Sequence, residues 1–518
     1  MQAVLTTERR LAAGPAVRTG TQAAYHSIAE VEGEPHTVRT ELIDSSSADV
    51  EQQGDVIACI AHITDLHVTD AQSTARFEFI NRELHDPHFR ELLTMQRPHE
   101  MMNTRAVDAM VRTINRVDKG PLTGSPLQLV VMTGDGIDNT QRNELTNFLA
   151  LMGGGFVRPD SGAPGYEGVQ LVSWPADFVW KPDGPEGGDQ FQRLLGFPRH
   201  PGLLDQAVES FRAEGLKLPW LGCYGNHEEV CQGVGIVTEA LAEWMTGSRK
   251  PIELPPTIDR AHAIETFVSH PELFVTGASL HVTRDPERRP ISRAEFVDTH
   301  LKAGGHGFTV ANADDGTACY VRDSGGVRFI TLDTVCDAGG ADGSIDGPQL
   351  HWLERRLEEV HSSFRSRDGS PIHTRNADRV VVILSHHTFD TLSNPRGESR
   401  AEELLHLLLR FGNVVLWLNG HIHANRVTPR RSERAGPGFW EVTTSSIVDW
   451  PCQARLVEIF DAGSGLLAIA CTMLDHDGLG LAGLHRELAA NTPFYGFDSA
   501  RHGSAADRNV ILLLPKPF

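Results

Sequence analysis

Five short runs of Asp, His and Asn hold the chemistry this sequence could perform: Asp65-Leu66-His67, Gly134-Asp135-Gly136-Ile137-Asp138-Asn139, Gly225-Asn226-His227-Glu228, Ser385-His386-His387 and Gly420-His421-Ile422-His423. Together they offer carboxylate, imidazole and amide donors and no thiolate. That mixture suits divalent cations such as Mn, Fe, Zn or Ni and is unlike a structural zinc site. Singly each run is weak, because an isolated D-x-H or H-x-H pair is more often surface or core filler. If these segments are extended, alternation makes Asp65 and His67, and likewise His421 and His423, face the same way. One carboxylate, Asp135, has the chemistry to bridge two cations roughly 3.5–4 Å apart. Glycines at 134, 225 and 420 are expected to let the backbone turn so that the next residue projects into a site.

The positions of the five runs give them weight. Val56–Ala61 leads to Asp65, Leu129–Met132 to Asp135, Leu218–Leu221 to Asn226, Val380–Leu384 to His386 and Val414–Leu418 to His421. Such short apolar runs read as buried parallel strands ending in functional loops. Between them, Asn103–Val117 and Gln349–Val360 place apolar residues on one helical face. Alternating strands and helices predict an α/β fold with polar residues gathered at the carboxyl ends of the strands. Two stretches, 153–202 and 247–313, interrupt the rhythm and read as long inserts that shape a pocket. Residues 1–54 read as a polar N-terminal arm containing Ser45-Ser46-Ser47, residues 55–475 as the catalytic domain, and 476–518 as an extension packing on it.

Composition sets outer bounds. The 518-residue chain carries a formal charge of −21, so a nucleic-acid partner is not expected. Seven scattered cysteines with no C-x-x-C pair predict buried reduced thiols, Cys59 and Cys471 among them. The longest apolar runs are strand-sized, well below the roughly 20 residues of a membrane span. Arg9-Arg10 is followed by no apolar leader, so a cytoplasmic location is expected.

In this order, the five runs resemble the calcineurin-like metallophosphoesterase superfamily over about Ile57 to Ile459, with every metal-ligand position filled. Phe329–Asp333 and Gly343–Leu353 resemble a segment of its cyclic-nucleotide and glycerophosphodiester phosphodiesterase branch. The chain departs in spacing, with 91 residues from Asp135 to Asn226 and 160 from Asn226 to His386. In that respect it is similar to an actinobacterial subgroup with stretched spacing. The resemblance implies a two-layer β-sandwich flanked by helices and a site for two divalent metal ions. Asp65, His67, Asp135 and His423 would hold the first; Asp135, Asn226, His386 and His421 the second. His386 is preferred to His387 because the family's ligand lies two residues before a position usually held by Pro, here Thr388. His227 would contact the phosphoryl oxygen or protonate the leaving group, and Asp138 would orient a ligand without binding metal. The implied reaction is hydrolysis of a small-molecule phosphoester, a diester ahead of a monoester or nucleotide. A catalytically silent metal-binding module is the rival from another class.

Other residues carry less. His62 reads as a packing residue, His85, His88 and His99 as a solvated face, and Leu484–Asn491 as a packing helix. Thr443–Ser446 and Asp449 read equally as pocket lining or a simple turn. Arg426 stands close enough in sequence to His423 to be tested as a phosphate contact.

Overall fold

The computed structural model describes residues 4–43, 54–431 and 438–518; Ser45-Ser46-Ser47 lies outside them. The fold is a mixed α/β arrangement with two large sheets. The first orders its strands Thr37–Arg39, Val510–Pro515, Leu466–Asp475, Gln453–Gly463, Val56–Ile63, Leu129–Met132 and Trp220–Gly222. The second runs Tyr320–Ser324, Val327–Thr331, Val380–Leu384, Val414–Asn419, Gly438–Thr443 and Arg426–Arg431. Leu129–Met132, Val380–Leu384 and Val414–Asn419 are buried at every position, which is why they read as unbroken apolar runs.

The sheets face each other. His62 and Arg455 are paired across neighbouring strands of the first sheet. Both reach the hydroxyl of Thr444, just beyond the second sheet's Gly438–Thr443. Ile60, Val457 and Ile459 from one sheet share a buried cluster with Val382, Leu416 and Val442 from the other. The far side of the second sheet, through Ile330, Ile383 and Trp417, packs on Leu353 and Leu357 of the helix Gly347–Glu358 and on Leu404 and Leu408 of Ala401–Leu408. Gly347–Glu358 begins earlier than its apolar periodicity indicates because Asp346 caps it, accepting the Gln349 N–H at 2.8 Å, with Pro348 in the first turn.

Within each sheet the strands that lead to the five runs are parallel. Val56–Ile63, Leu129–Met132 and Trp220–Gly222 form one parallel set; Val380–Leu384 and Val414–Asn419 belong to the other. Their carboxyl ends therefore open on a common rim.

Both ends of the chain are more integrated than expected. The stretch read as a polar arm holds the hairpin Arg9–Thr19/Ala24–Glu32, and Thr37–Arg39 pairs with Val510–Pro515. An antiparallel pair needs only one covered face, so its polarity concealed it. Val510–Pro515 in turn pairs with Leu466–Cys471, making the C-terminal stretch part of the first sheet. Gly155–Val157 of the first insert pairs with Phe211–Ala213 beyond its end, and within the second Arg249–Pro251 pairs with Ser279–His281. Buried Arg288 ties them together, Nη2 donating to Ser161 Oγ at 2.8 Å and Nε to Asp70 Oδ2 at 3.2 Å. Among the described residues all seven cysteines are unpaired, and no helix is long and apolar enough to cross a membrane.

Candidate metal centre

At the common rim the five runs converge into two groups that meet at Asp135. In the first group, His423 Nε2 lies 3.1 Å from His67 Nε2 and 3.3 Å from Asp65 Oδ1, and His67 Nε2 lies 3.7 Å from Asp135 Oδ2. In the second, the same Asp135 Oδ2 lies 3.2 Å from His386 Nε2. Asn226 Oδ1 is 3.0 Å from His386 Nε2 and 3.1 Å from His421 Nδ1. All seven side chains are buried except His421, which is partly exposed.

The backbone route to this arrangement differs from simple alternation. Asp65, His67, Asp135, His421 and His423 all have positive φ, from 45° to 67°, so neither D-x-H nor H-x-H is extended. Non-glycine residues in this region carry strain that the surrounding structure must hold, and such residues cluster at functional sites. The pairs also divide: His423 joins Asp65 and His67, while His421 joins Asn226. Of the three flanking glycines, Gly134 turns the chain, with φ of 93°. Gly225 and Gly420 serve by close approach instead. A Cβ on Gly225 would collide with Asp135, and one on Gly420 with Thr64 and Asp65.

Hydrogen bonding on the outward nitrogens sets the protonation of the inward ones. His67 Nδ1 is held by Asp138 Oδ1 at 2.9 Å, His423 Nδ1 by Asp449 Oδ2 at 2.6 Å and His386 Nδ1 by the Thr133 carbonyl at 2.8 Å. Each neutral ring therefore donates outward and turns an Nε2 lone pair inward. Three lone pairs, two carboxylates and an amide oxygen then face one another with no donor among them, which is the donor set a divalent cation requires. The residues fit metal. Without it protons must serve. Burial disfavours charge on His386, but neighbouring Asp135 outweighs burial and lifts its pKa to about 9. Burial and the charge of His227 push His67 down to about 4. His387, adjacent in sequence, occupies its nitrogens elsewhere, with Thr334 Oγ1 at 2.8 Å and the Ala341 carbonyl at 3.0 Å.

A buried ionic layer supports these rings, and most of it escaped the reading of the sequence. Asp138, which touches both His67 and His227, is ion-paired with Arg76, and Arg76 also donates to Glu100 Oε2 at 2.8 Å. Burial opposes ionisation of Asp138, but Arg76 holds its carboxyl well below the usual range. Arg97 forks onto Asp449, Nε to Oδ1 at 2.7 Å and Nη2 to Oδ2 at 3.0 Å. Asp449, open between pocket lining and a turn, is thus the partner of His423. Glu228, quoted in the third run without a role, gathers backbone N–H groups of Asp135, Gly136 and Gly225 at 2.6–2.9 Å and so fixes the loop carrying Asp135.

A cavity of about 300 Å³ opens above Asp135, Asn226, His227, His421 and His423. Its walls come from Glu91–Met95, Arg97, Gln232, Val234, Ala341, Tyr495 and Arg501, not from the 153–202 or 247–313 inserts. The inserts drew notice by length and Gly/Pro content, neither of which reports distance from the site. The segments resembling diesterases are also set back. Gln349 brackets Asp333, accepting its N–H at 2.8 Å and donating to its carbonyl at 2.7 Å, outside this cavity. Among the other candidates, His62 is buried between Thr133 and Thr444. His85 and His88 are exposed, whereas His99 is fully buried against the Val448 carbonyl at 2.8 Å. Arg426 pairs with Asp390 at 3.0 Å and does not line the cavity. The helix Gly480–Ala490 packs against Asn103–Arg116, with His485 Nε2 2.9 Å from Asn103 Oδ1.

No protein-family model and no curated protein matches the chain. Among solved structures it is similar to the sulfate thiohydrolase SoxB of Termus thermophilus, in complex with glycerol, at 13% identity and a TM-score of 0.26. That alignment covers 85% of this chain and 59% of the other, so the chain spans less than two thirds of its solved neighbour. A likeness at this level supports neither a fold family nor an activity.

Proposed function

We propose that the chain hydrolyses phosphoester bonds with two divalent cations, one held by Asp65, His67, Asp135 and His423, the other by Asp135, Asn226, His386 and His421. The observation that carries this reading is the position of Asp135. A single carboxylate oxygen lies 3.7 Å from His67 Nε2 and 3.2 Å from His386 Nε2, between the two groups of donors. Cations there would supply Lewis-acid stabilisation of the phosphoryl oxygens and activate water for in-line attack on phosphorus.

The chain's own groups account for the remaining steps. The His227 N–H donates to Asp135 Oδ1 at 2.8 Å and fixes the carboxylate's orientation. The His227 ring lines the cavity, with Nδ1 3.1 Å from the Asp138 carbonyl and 3.2 Å from its carboxylate. That leaves Nε2 facing the cavity, where the ring in its doubly protonated form, Nδ1–H held by Asp138, would give the Nε2 proton to the departing alkoxide. Asp138, anchored by Arg76, orients both His67 and His227. Phosphodiesters are the proposed substrate class, on the resemblance of the Phe329–Leu353 segments alone.

The test is hydrolysis of bis(p-nitrophenyl) phosphate and p-nitrophenyl phosphate with added Mn²⁺, by wild type and by Asp135→Asn. Diester turnover that disappears in the variant supports the reading. A preference for the monoester moves the assignment to a phosphomonoesterase or nucleotidase. No turnover of either, with manganese demonstrably bound, leaves a narrow natural substrate or a silent metal-binding module.

A further inference from the structure

The mouth of the cavity presents hydrogen-bond donors that are only partly satisfied among the described residues. Arg501 donates through Nη1 to the carbonyl of Ile422, at 2.6 Å, between the two histidines of the fifth run. Among the described residues, its Nε and Nη2 have no partner and no carboxylate pairs with it. Tyr495 stands beside it, with the Arg501 guanidinium carbon 4.5 Å from the ring centre and that of Arg97 5.3 Å away. The Tyr495 hydroxyl and Arg97 Nη1 also lack partners among the described residues; the rest of the Arg97 fork is committed to Asp449. Opposing them on the lining is one exposed carboxylate, Glu91.

Distance separates this donor group from the donors assigned to metal. The Tyr495 ring lies 6.2 Å from the ring of His423, and the Arg501 guanidinium packs on the same Tyr495 ring. A phosphoryl group seated over Asp135 would meet His227 and the rings of the fifth run. A substituent carried on the ester would meet Tyr495 and Arg501. Guanidinium and phenol donors in a small, partly dried cavity select oxyanions, since a charge-assisted bond is roughly twice as strong as a neutral one. Neutral alkyl or aryl substituents would leave those donors desolvated and unpaired.

The geometry points to a second anion subsite, formed by Arg501 and Tyr495 with Arg97 Nη1, that selects phosphoesters bearing an additional carboxylate or phosphate. This inference rests on the phosphoester reading and adds the substrate's charge to it. The subsite is tested by calorimetric titration of full-length, manganese-loaded protein with two non-hydrolysable probes, methylphosphonate and phosphonoacetate. Wild type is expected to bind phosphonoacetate about tenfold more tightly. In Arg501→Gln the two affinities should come within about twofold of each other, with part of the difference restored in Arg501→Lys. Because the comparison is made within each variant, damage to the fold weakens both probes together and does not imitate the result. Equal affinities in wild type, or a preference unchanged in Arg501→Gln, overturn the subsite and leave the phosphoester reading intact, provided that methylphosphonate binding needs manganese. If neither probe binds in a manganese-dependent way, both fall.

Discussion

Asp449 Oδ2 sits 2.6 Å from His423 Nδ1, and the same carboxylate is forked by Arg97, so one buried anion connects a cavity-wall arginine to a ring of the candidate metal centre. Burial opposes ionisation of Asp449, but Arg97 and His423 hold its carboxyl well below the usual range. As an acceptor it keeps the His423 proton on Nδ1 and the lone pair on Nε2.

Asp449→Asn keeps the volume and exchanges the acceptor for a side chain that can present a donor. Metal affinity is expected to fall roughly 10–100-fold, the usual cost of losing such a partner. Titration of the metal-free protein with Mn²⁺ reads this directly. Unchanged affinity would show that the His423 tautomer is set by something else.

How far this centre could be read in advance depended on chain locality. The five runs were legible because each places its donors within a few residues of a buried apolar strand, and short glycine-flanked loops follow. Parallel pairing then brings such loops to one rim. Arg97 and Asp449 lie 352 positions apart, so nothing local marks them as a pair. Arg501 and Tyr495 come from a tail whose composition indicates only packing. The left-handed conformations of Asp65 and His67 were equally hidden, because period-two alternation is what a D-x-H run leads one to assume. The hairpin near the N-terminus escaped because its faces stay largely wet.

Arg76 is 1% exposed and faces Asp138 and Glu100. Replacing it with Met fills the volume but strands two buried carboxylates. Breaking a buried ion pair from one side costs roughly 3–5 kcal/mol. Arg76→Met should therefore lower the urea midpoint of the metal-free protein substantially, and a drop of less than about 1 kcal/mol would mean that Asp138 and Glu100 find other partners.

Acid should destabilise the metal-free protein through histidines that are buried in their neutral form. His361 Nδ1 donates to the Leu357 carbonyl, and its Nε2 accepts the Asn413 N–H at 3.2 Å, so the ring is neutral in place. Burial pushes its pKa down to about 4, and burial does the same to His99. The unfolded chain, with ordinary histidines near 6.5, takes up these protons first. Stability is therefore complete above about pH 6.5 and is lost as pH falls towards 4, at up to about 1.4 kcal/mol per pH unit for each such ring. The urea midpoint at pH 5.5 should lie below that at pH 6.5. His361→Gln should flatten the decline by about one proton; an identical slope in the variant would remove His361 from the account.

Gly225 tests whether the centre depends on backbone approach or only on its donors. The strand-end loop brings the Gly225 α-carbon against Asp135, and an added Cβ would meet both the carboxylate and the backbone nitrogen of that residue. Neither neighbour is the free end of a flexible chain. Asp135 also accepts the His227 N–H, and its own N–H is bonded to Glu228, so it cannot move alone. Gly225→Ala should accordingly lose bound manganese while every donor side chain remains in the sequence. Gly153→Ala is the control, since a Cβ there meets nothing within 4 Å and should leave stability within about 1 kcal/mol of wild type. Metal content after dialysis separates the outcomes. Full manganese occupancy in Gly225→Ala would mean that Asp135 tolerates displacement, and its place between the two groups of donors would then no longer support a bridging role.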